Sequence, residues 1–292
     1  MPRYRLTIAY DGTDFSGWQK QEPVDPNAPP DPETGEPARM KLRTVQEIVE
    51  RAVREVVREP VNLMGASRTD AGVHAWSQCG AFTCSDGAPQ GRGWPEDRGT
   101  ESLRRAINGR LPPDVIVRTA EVVPESFDPI KSCMSKGYSY TIHAGRDRPV
   151  FDRQFVHHVW EQLDATAMTI AARHFEGEHD FNAFAAAGHG RTSTVRTIYG
   201  CSVTTLPSAD GGSDTSDAEF PAQRVRIDVS GNGFLYNMVR IIAGTLYEVG
   251  RGKIEPGSIP SIIESLDRRQ AGMTLPATGL RLEWIEYPDR RL

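Results

Sequence analysis

No run in this 292-residue chain approaches the roughly 20 apolar residues needed to cross a bilayer. The opening MPRYRLTIAY alternates in polarity like a strand and not like a signal peptide, so the expectation is a cytoplasmic protein with no membrane partner. Cysteine is scarce: Cys79, Cys84, Cys133 and Cys201 form no CxxC pair, which argues against a disulfide framework and for reduced, partly buried thiols. His174 and His179 in HFEGEHDF are five apart with Gly177 between them, so they do not share a helical face as an HExxH pair does, and no metal is expected. There is no GxSxG elbow to support serine-histidine-acid catalysis. Positive charge is also missing overall. A net charge of −5 argues at first against a polyanionic partner.

The average hides a partition. Residues 22–38, 85–101 and 205–222 together carry −11, which leaves +6 on the remainder. All three are rich in Pro, Gly, Ser and acid, a composition that buries too little apolar surface to offset ordering entropy. They are expected to be exposed loops, and the folded body is basic.

Between them, RYRLTIAY (3–10) alternates as a strand, and TVQEIVERAVREVV (44–57) sets Val45, Ile48, Val49, Ala52, Val53, Val56 and Val57 on one helical stripe. Thr44 with Glu47 fits a capping box. VNLMGAS and AWSQCGAFTC are expected as two strands flanking a glycine-punctuated turn, and ESLRRAINGRL as a helix ending near Gly109. A similar order recurs after residue 130. GYSYTIHA is expected as a strand, ATAMTIAARHF as a helix, TVRTIYGCSVTTL and AQRVRIDVSG as a strand pair, and FLYNMVRIIAGTLYEVG as a long apolar helix. The expected class is α+β, with helices packed on largely antiparallel, mixed sheets in two similar halves, 1–110 and 111–292, and a cleft between them.

The turn in "GASRTDAGVHAWSQ" concentrates the polar chemistry. In extended chain, Arg68 and Asp70 face one side while Thr69 turns away, and the guanidinium favours the ionised carboxylate. An ion pair on a hairpin explains the same residues equally well. His74 titrates in the right range for an acid or base but is the commoner structural histidine. YDGTDFSGWQ adds Asp11 and Asp14, which turn formation explains. With Asp70 they would also supply the two carboxyl groups of a glycoside hydrolase or nucleosidase. A non-catalytic RNA-binding module is a third reading, favoured by the basic body. Tyr138 and Tyr140 share one strand face, suited to packing or to stacking on a base. Arg240 lies within an apolar helix, where it needs an anionic partner or a route to water.

Taken in order, "YDGTDFSGWQKQ", "TVQEIVERAV", "SRTDAGVHAWSQ", "LPPDVIV", "GYSYTI", "GEHDFNAF", "GNGFLYNMVRIIAGTLYEVG" and "PATGLRLEWIEYP" resemble the TruA family of tRNA pseudouridine synthases over nearly the whole chain. The resemblance implies a homodimeric, cofactor-free isomerase. It would convert uridine to pseudouridine on the 3′ side of the tRNA anticodon arm, at tRNA positions 38 to 40. It implies the pseudouridine synthase fold, with the active cleft between the two halves. It also implies Asp70 as the catalytic aspartate and nucleophile, and Arg68 as its partner and the group that displaces the target base. Tyr138 would stack on the flipped uracil, Arg240 would approach the aspartate from the other half, and Leu280 would form an apolar wall. Two positions depart from the family pattern: Ser67 stands where glycine is common, and Gly137 where arginine is frequent. The three acidic segments look like insertions.

Overall fold

A computed structural model describes residues 1–87, 91–186, 192–207 and 222–288. It divides the chain into two compact units, Met1–Cys133 and Met134–Leu292.

In the first unit, β1 (Arg3–Tyr10) is flanked by two strands. A helix, α1 (Val45–Val57), and a two-residue strand, β2 (Met64–Gly65), precede β3 (His74–Thr83), and α2 (Thr100–Asn108) precedes β4 (Val115–Val123). The order is β4-β1-β3, all antiparallel, with β2 on the outer part of β3. Alternation decides the faces: Tyr4, Leu6 and Ile8 are fully buried together with Val49 and Val53 of α1 and Leu103 and Ile107 of α2. Each such side chain contributes roughly 1.5–3 kcal/mol of burial. The expected division at 110/111 puts β4 in the second half, whereas its pairing with β1 places it in the first unit.

Two local expectations are corrected here. Thr44 precedes α1, but its side chain makes no cap, and its Oγ1 has no hydrogen-bond partner among the described residues. The Val45 and Gln46 N–H groups are satisfied instead by the Gly17 and Trp18 carbonyls at 3.2 and 2.9 Å, and Glu47 pairs with Arg51. Loop backbone thus takes the first two helix donors, and Glu47 turns to Arg51 and away from the N-terminus. VNLMGAS, expected as a full strand, pairs only at Met64 and Gly65. Side chains of α1 hold the rest: Gln46 Nε2 donates to Leu63 O at 2.7 Å, and Glu50 Oε2 accepts the Leu63 N–H at 3.0 Å. Glu50 is itself buried and neutralised by Lys20 and Arg54 at 2.7 and 2.6 Å.

Of the acidic segments, 22–38 is almost wholly exposed, closed by a bridge between Val24 and Arg39. Residues 88–90 of the second lie outside the described residues; in 91–99, Gly91, Arg92, Glu96, Asp97 and Arg98 are exposed as expected, but Gly93 and Trp94 are not. Trp94 is buried, its carbonyl accepts the Tyr4 hydroxyl at 2.8 Å, and Arg98 stacks on its ring at 3.8 Å. One large ring buries enough surface to order the segment against its polar composition. Most of 205–222 lies outside the described residues.

The second unit has strand order β10-β5-β9-β8-β7, antiparallel throughout: β5 (Ser135–Ala144), β7 (Gly177–Asp180), β8 (Val195–Leu206), β9 (Gln223–Gly231) and β10 (Leu280–Glu286). β6 (His157–Val159) joins β5 in parallel and makes the sheet mixed. Tyr140, Ile142, Val225, Ile227, Val229, Leu280 and Leu282 form one buried face. α3 (Ala165–Ala172), α4 (Met238–Gly250) and α5 (Ile259–Ser265) complete the unit, and the class is the expected α+β. α4 begins four residues later than its apolar run suggests because Asn237 adopts φ +59°, a left-handed residue that starts the helix abruptly.

Candidate active site

The turn between β2 and β3 is held from below by the loop that follows β1. Trp18 N–H donates to Thr69 O at 3.0 Å, Gly72 N–H donates to Phe15 O at 3.2 Å, and the Tyr10 and Thr69 hydroxyls share a hydrogen bond of 2.7 Å. The loop approaches so closely that side chains are excluded. A Cβ on Gly12 would stand 2.0 Å from the Val73 carbonyl, and one on Gly17, at φ +89°, 2.6 Å from the Thr69 carbonyl. YDGTDFSGWQ is therefore the bed of the turn, and its glycines are what let it lie there.

His74 is part of that bed. It is buried, its Nδ1 accepts the Gly12 N–H at 3.0 Å, and Asp11 Oδ1 lies 3.2 Å from the same nitrogen. Asp11 Oδ1 also accepts from Thr13 N and Oγ1 at 3.0 and 2.6 Å. One carboxylate and one histidine are thus spent on the turn.

With Thr69 buried beneath, Arg68 is exposed and Asp70 half-buried, the alternation expected of extended chain. Arg68 has no ion-pair partner among the described residues, so the expected Arg68–Asp70 pair is not formed; its guanidinium lies in solvent. Ser67, the residue that departs from the family pattern, is held by Gln78. Gln78 Nε2 donates to Ser67 O at 2.5 Å, and Gln78 Oε1 accepts Ser67 N–H at 3.2 Å. Sequence reading missed Gln78, although a glutamine in the otherwise apolar "QCGAF" was a visible break in the pattern.

In the second unit, Tyr138 lies on β5 with Phe234 edge-on at 5.3 Å. Leu280 is paired with Tyr140 on β10, and Leu282 with Tyr138, so Tyr138 and Leu280 are diagonal neighbours on one face. Burial pushes the Tyr140 phenol far above its ordinary range, opposed by the positive Arg240, and its hydroxyl donates to Pro276 O at 2.8 Å. Arg240, on α4, donates through Nε to Leu275 O at 2.6 Å and through a terminal nitrogen to Asn237 Oδ1 at 2.8 Å. The left-handed Asn237 is therefore a support for Arg240 that periodicity could not reveal. Gly137 has a local explanation: the Trp284 indole lies over it, and a Cβ there would stand 2.3 Å from the ring. The strand position next to Tyr138 is filled from its neighbour.

A family model described as tRNA pseudouridine synthase matches residues 171–288. A protein named tRNA pseudouridine synthase A from Ruminiclostridium cellulolyticum is 40% identical over 287 residues, covering 98% of this chain and 100% of that one. This chain belongs to the tRNA pseudouridine synthase A family. Other members resemble it as evenly. Those of Pelobacter propionicus and Caldicellulosiruptor bescii are 38% and 37% identical, covering 98% and 97% of this chain and 100% and 98% of their own. The matches to these relatives extend through both units.

Proposed function

We propose that this chain isomerises uridine to pseudouridine in the anticodon arm of tRNA, at positions 38 to 40, with Asp70 as nucleophile. The observation that carries the reading is the bedded turn. Beneath it the Thr69 and Tyr10 hydroxyls bond each other, His74 accepts the Gly12 N–H and Asp11 accepts from Thr13, while Arg68 is exposed and Asp70 half-buried.

Uracil must first leave the stack, at a cost of roughly a few kcal/mol. Arg68, long and cationic, fills the vacated position and meets the phosphates. The Asp70 carboxylate then attacks C1′, the N1–C1′ bond breaks, and an ester links Asp70 to the ribose. The detached uracil turns against the Tyr138 ring and the Leu280 side chain, which restrain it without fixing one orientation; Arg240 supplies positive charge to the same nucleotide. C5 displaces the ester at C1′, the C5 proton leaves to solvent, and N1 takes one up. Atoms and electrons balance within the nucleotide, so the reaction needs no cofactor. Removal of the C2′ proton by Asp70, giving a glycal, is the competing route. A primary isotope effect with 2′-deuterated uridine would select it. The working form in this reading is a homodimer.

A hydrolase reading needs a second carboxyl acting with Asp70; Asp11 is already bonded to Thr13 and set against His74, Asp14 is exposed, and the reaction products separate the two readings. The test is tritium release from 5-tritiated uridine in tRNA. Wild type should release it without liberating uracil, and Asp70→Asn, which keeps the shape and removes the charge, should stay folded and inactive. Equal release by both proteins, or free uracil in the products, refutes the assignment.

A further inference from the structure

Gln78 occupies a position where a polar side chain has no packing reason to be. On β3 it pairs with Ile8, in the row that also sets Gly80 against Leu6 and Phe82 against Tyr4, and it is 0% exposed. A leucine or methionine would fill that space. The carboxamide instead makes three hydrogen bonds to backbone. Oε1 accepts from Ser67 N–H at 3.2 Å and Cys79 N–H at 3.1 Å, and Nε2 donates to Ser67 O at 2.5 Å. An uncharged amide offers a donor and an acceptor at once, at any pH, without placing a charge in a dry site.

The target of those bonds gives the arrangement its meaning. A strand ladder would fix alternate residues, but one side chain here takes both polar groups of a single residue. The Ser67 carbonyl belongs to the same rigid peptide plane as the Arg68 N–H. Holding that carbonyl therefore orients the plane from which Arg68 departs. On either side the backbone is fixed as well: Ala66 N–H donates to Cys79 O at 2.9 Å, and Thr69 O accepts from Trp18.

We propose that Gln78 is a positioning residue for the reaction: through Ser67 it sets the peptide plane that aims Arg68 and, two residues on, Asp70. The inference rests on the roles given to those two residues above. Gln78 touches no substrate; it acts through the backbone it grips.

The experiment measures kcat and KM for pseudouridine formation, tRNA binding by filter retention, and thermal melting for wild type, Gln78→Met, Gln78→Glu and Asp70→Asn. Gln78→Met keeps the volume and loses the bonds. Its kcat should fall roughly 10- to 100-fold, as expected for a misplacement of about 1 Å, with KM and tRNA binding within about threefold of wild type. Gln78→Glu gives a sharper readout. Burial raises the pKa of a carboxyl at this position, and only its protonated form can donate to Ser67 O. Its kcat relative to wild type should therefore climb as pH falls from about 8.5 to about 6, a recovery that Gln78→Met cannot show. A folded Gln78→Met with kcat within about twofold of wild type overturns the inference, as does a Gln78→Glu profile parallel to wild type. If Gln78→Met fails to fold, the Gln78→Glu profile decides. Failure of the underlying reading looks different: wild type releases no tritium, or Asp70→Asn keeps the wild-type rate.

Discussion

Replacing Gly17 by alanine tests the link between the bed and the turn. The backbone at φ +89° costs an L-residue about 1–2 kcal/mol. The new Cβ would stand 2.6 Å from the Thr69 carbonyl and 3.1 Å from the carbonyl carbon of Asp70, both backbone atoms with no rotamer to yield. Restoring van der Waals contact requires a displacement of roughly 0.5–1 Å, and overpacking of this kind costs about 1–3 kcal/mol. The hydrogen bond from Trp18 N–H to Thr69 O stretches with it, adding up to about 1 kcal/mol. The total loss is about 2–6 kcal/mol, read as a fall in the urea midpoint at constant slope. Gly252→Ala is the matched control: φ is +69° and no atom lies within 4 Å of the added Cβ, so only the backbone cost of about 1 kcal/mol applies. Because the clash falls on the carbonyls beside Asp70, kcat should drop roughly 10- to 100-fold at temperatures where the variant is still folded. The reasoning fails if Gly17→Ala costs no more than Gly252→Ala, or if it is destabilised while its kcat at low temperature is unchanged.

Gly137→Arg must push the Trp284 indole off the strand. Trp284 is 41% exposed and can swing outward, so the cost is modest, about 1 kcal/mol, with a red-shifted tryptophan emission; an unshifted spectrum would contradict the contact. His157 is held below its usual pKa by burial and by the adjacent charge on His158. The folded chain resists a proton that the unfolded chain accepts. Stability from this group is therefore complete above the ordinary histidine pKa of about 6.5 and is lost as pH falls below it. His157→Phe should lessen the drop in urea midpoint between about pH 8 and pH 5.5; an undiminished drop would assign it to other groups.

The strands and long helices were legible because burial enforces their periods: 3–10 alternates, and 45–57 keeps its valines on one stripe. What was not legible depended on partners distant in sequence. Nothing near Thr44 signals that Gly17 and Trp18 carbonyls will take the helix N-terminal donors. Nothing in VNLMGAS shows that Gln46 and Glu50 will satisfy Leu63 in place of a strand. Trp94 overrode a segment whose composition otherwise reads as solvated. Arg68 and Asp70 were visible as an alternating pair, and their exposure follows that alternation, but no ion pair joins them among the described residues. Asp11, weighed as a second catalytic carboxylate, proved to be a support for His74 and Thr13, a distinction that only the three-dimensional placement of Gly12 beside Val73 makes.

The grips on Leu63 and Ser67 come from side chains of α1 and β3, and a side chain cannot grip before its own element exists. The turn that carries Arg68 and Asp70 is consequently expected to belong to the last stage of folding. Destabilising substitutions between Leu63 and Gly72 should speed unfolding and leave the refolding rate nearly untouched, whereas those in β1 should slow refolding. Stopped-flow chevrons measure both arms, and a refolding rate slowed by turn substitutions would reverse the order. The turn proposed to meet RNA would thereby be assembled on a scaffold already complete.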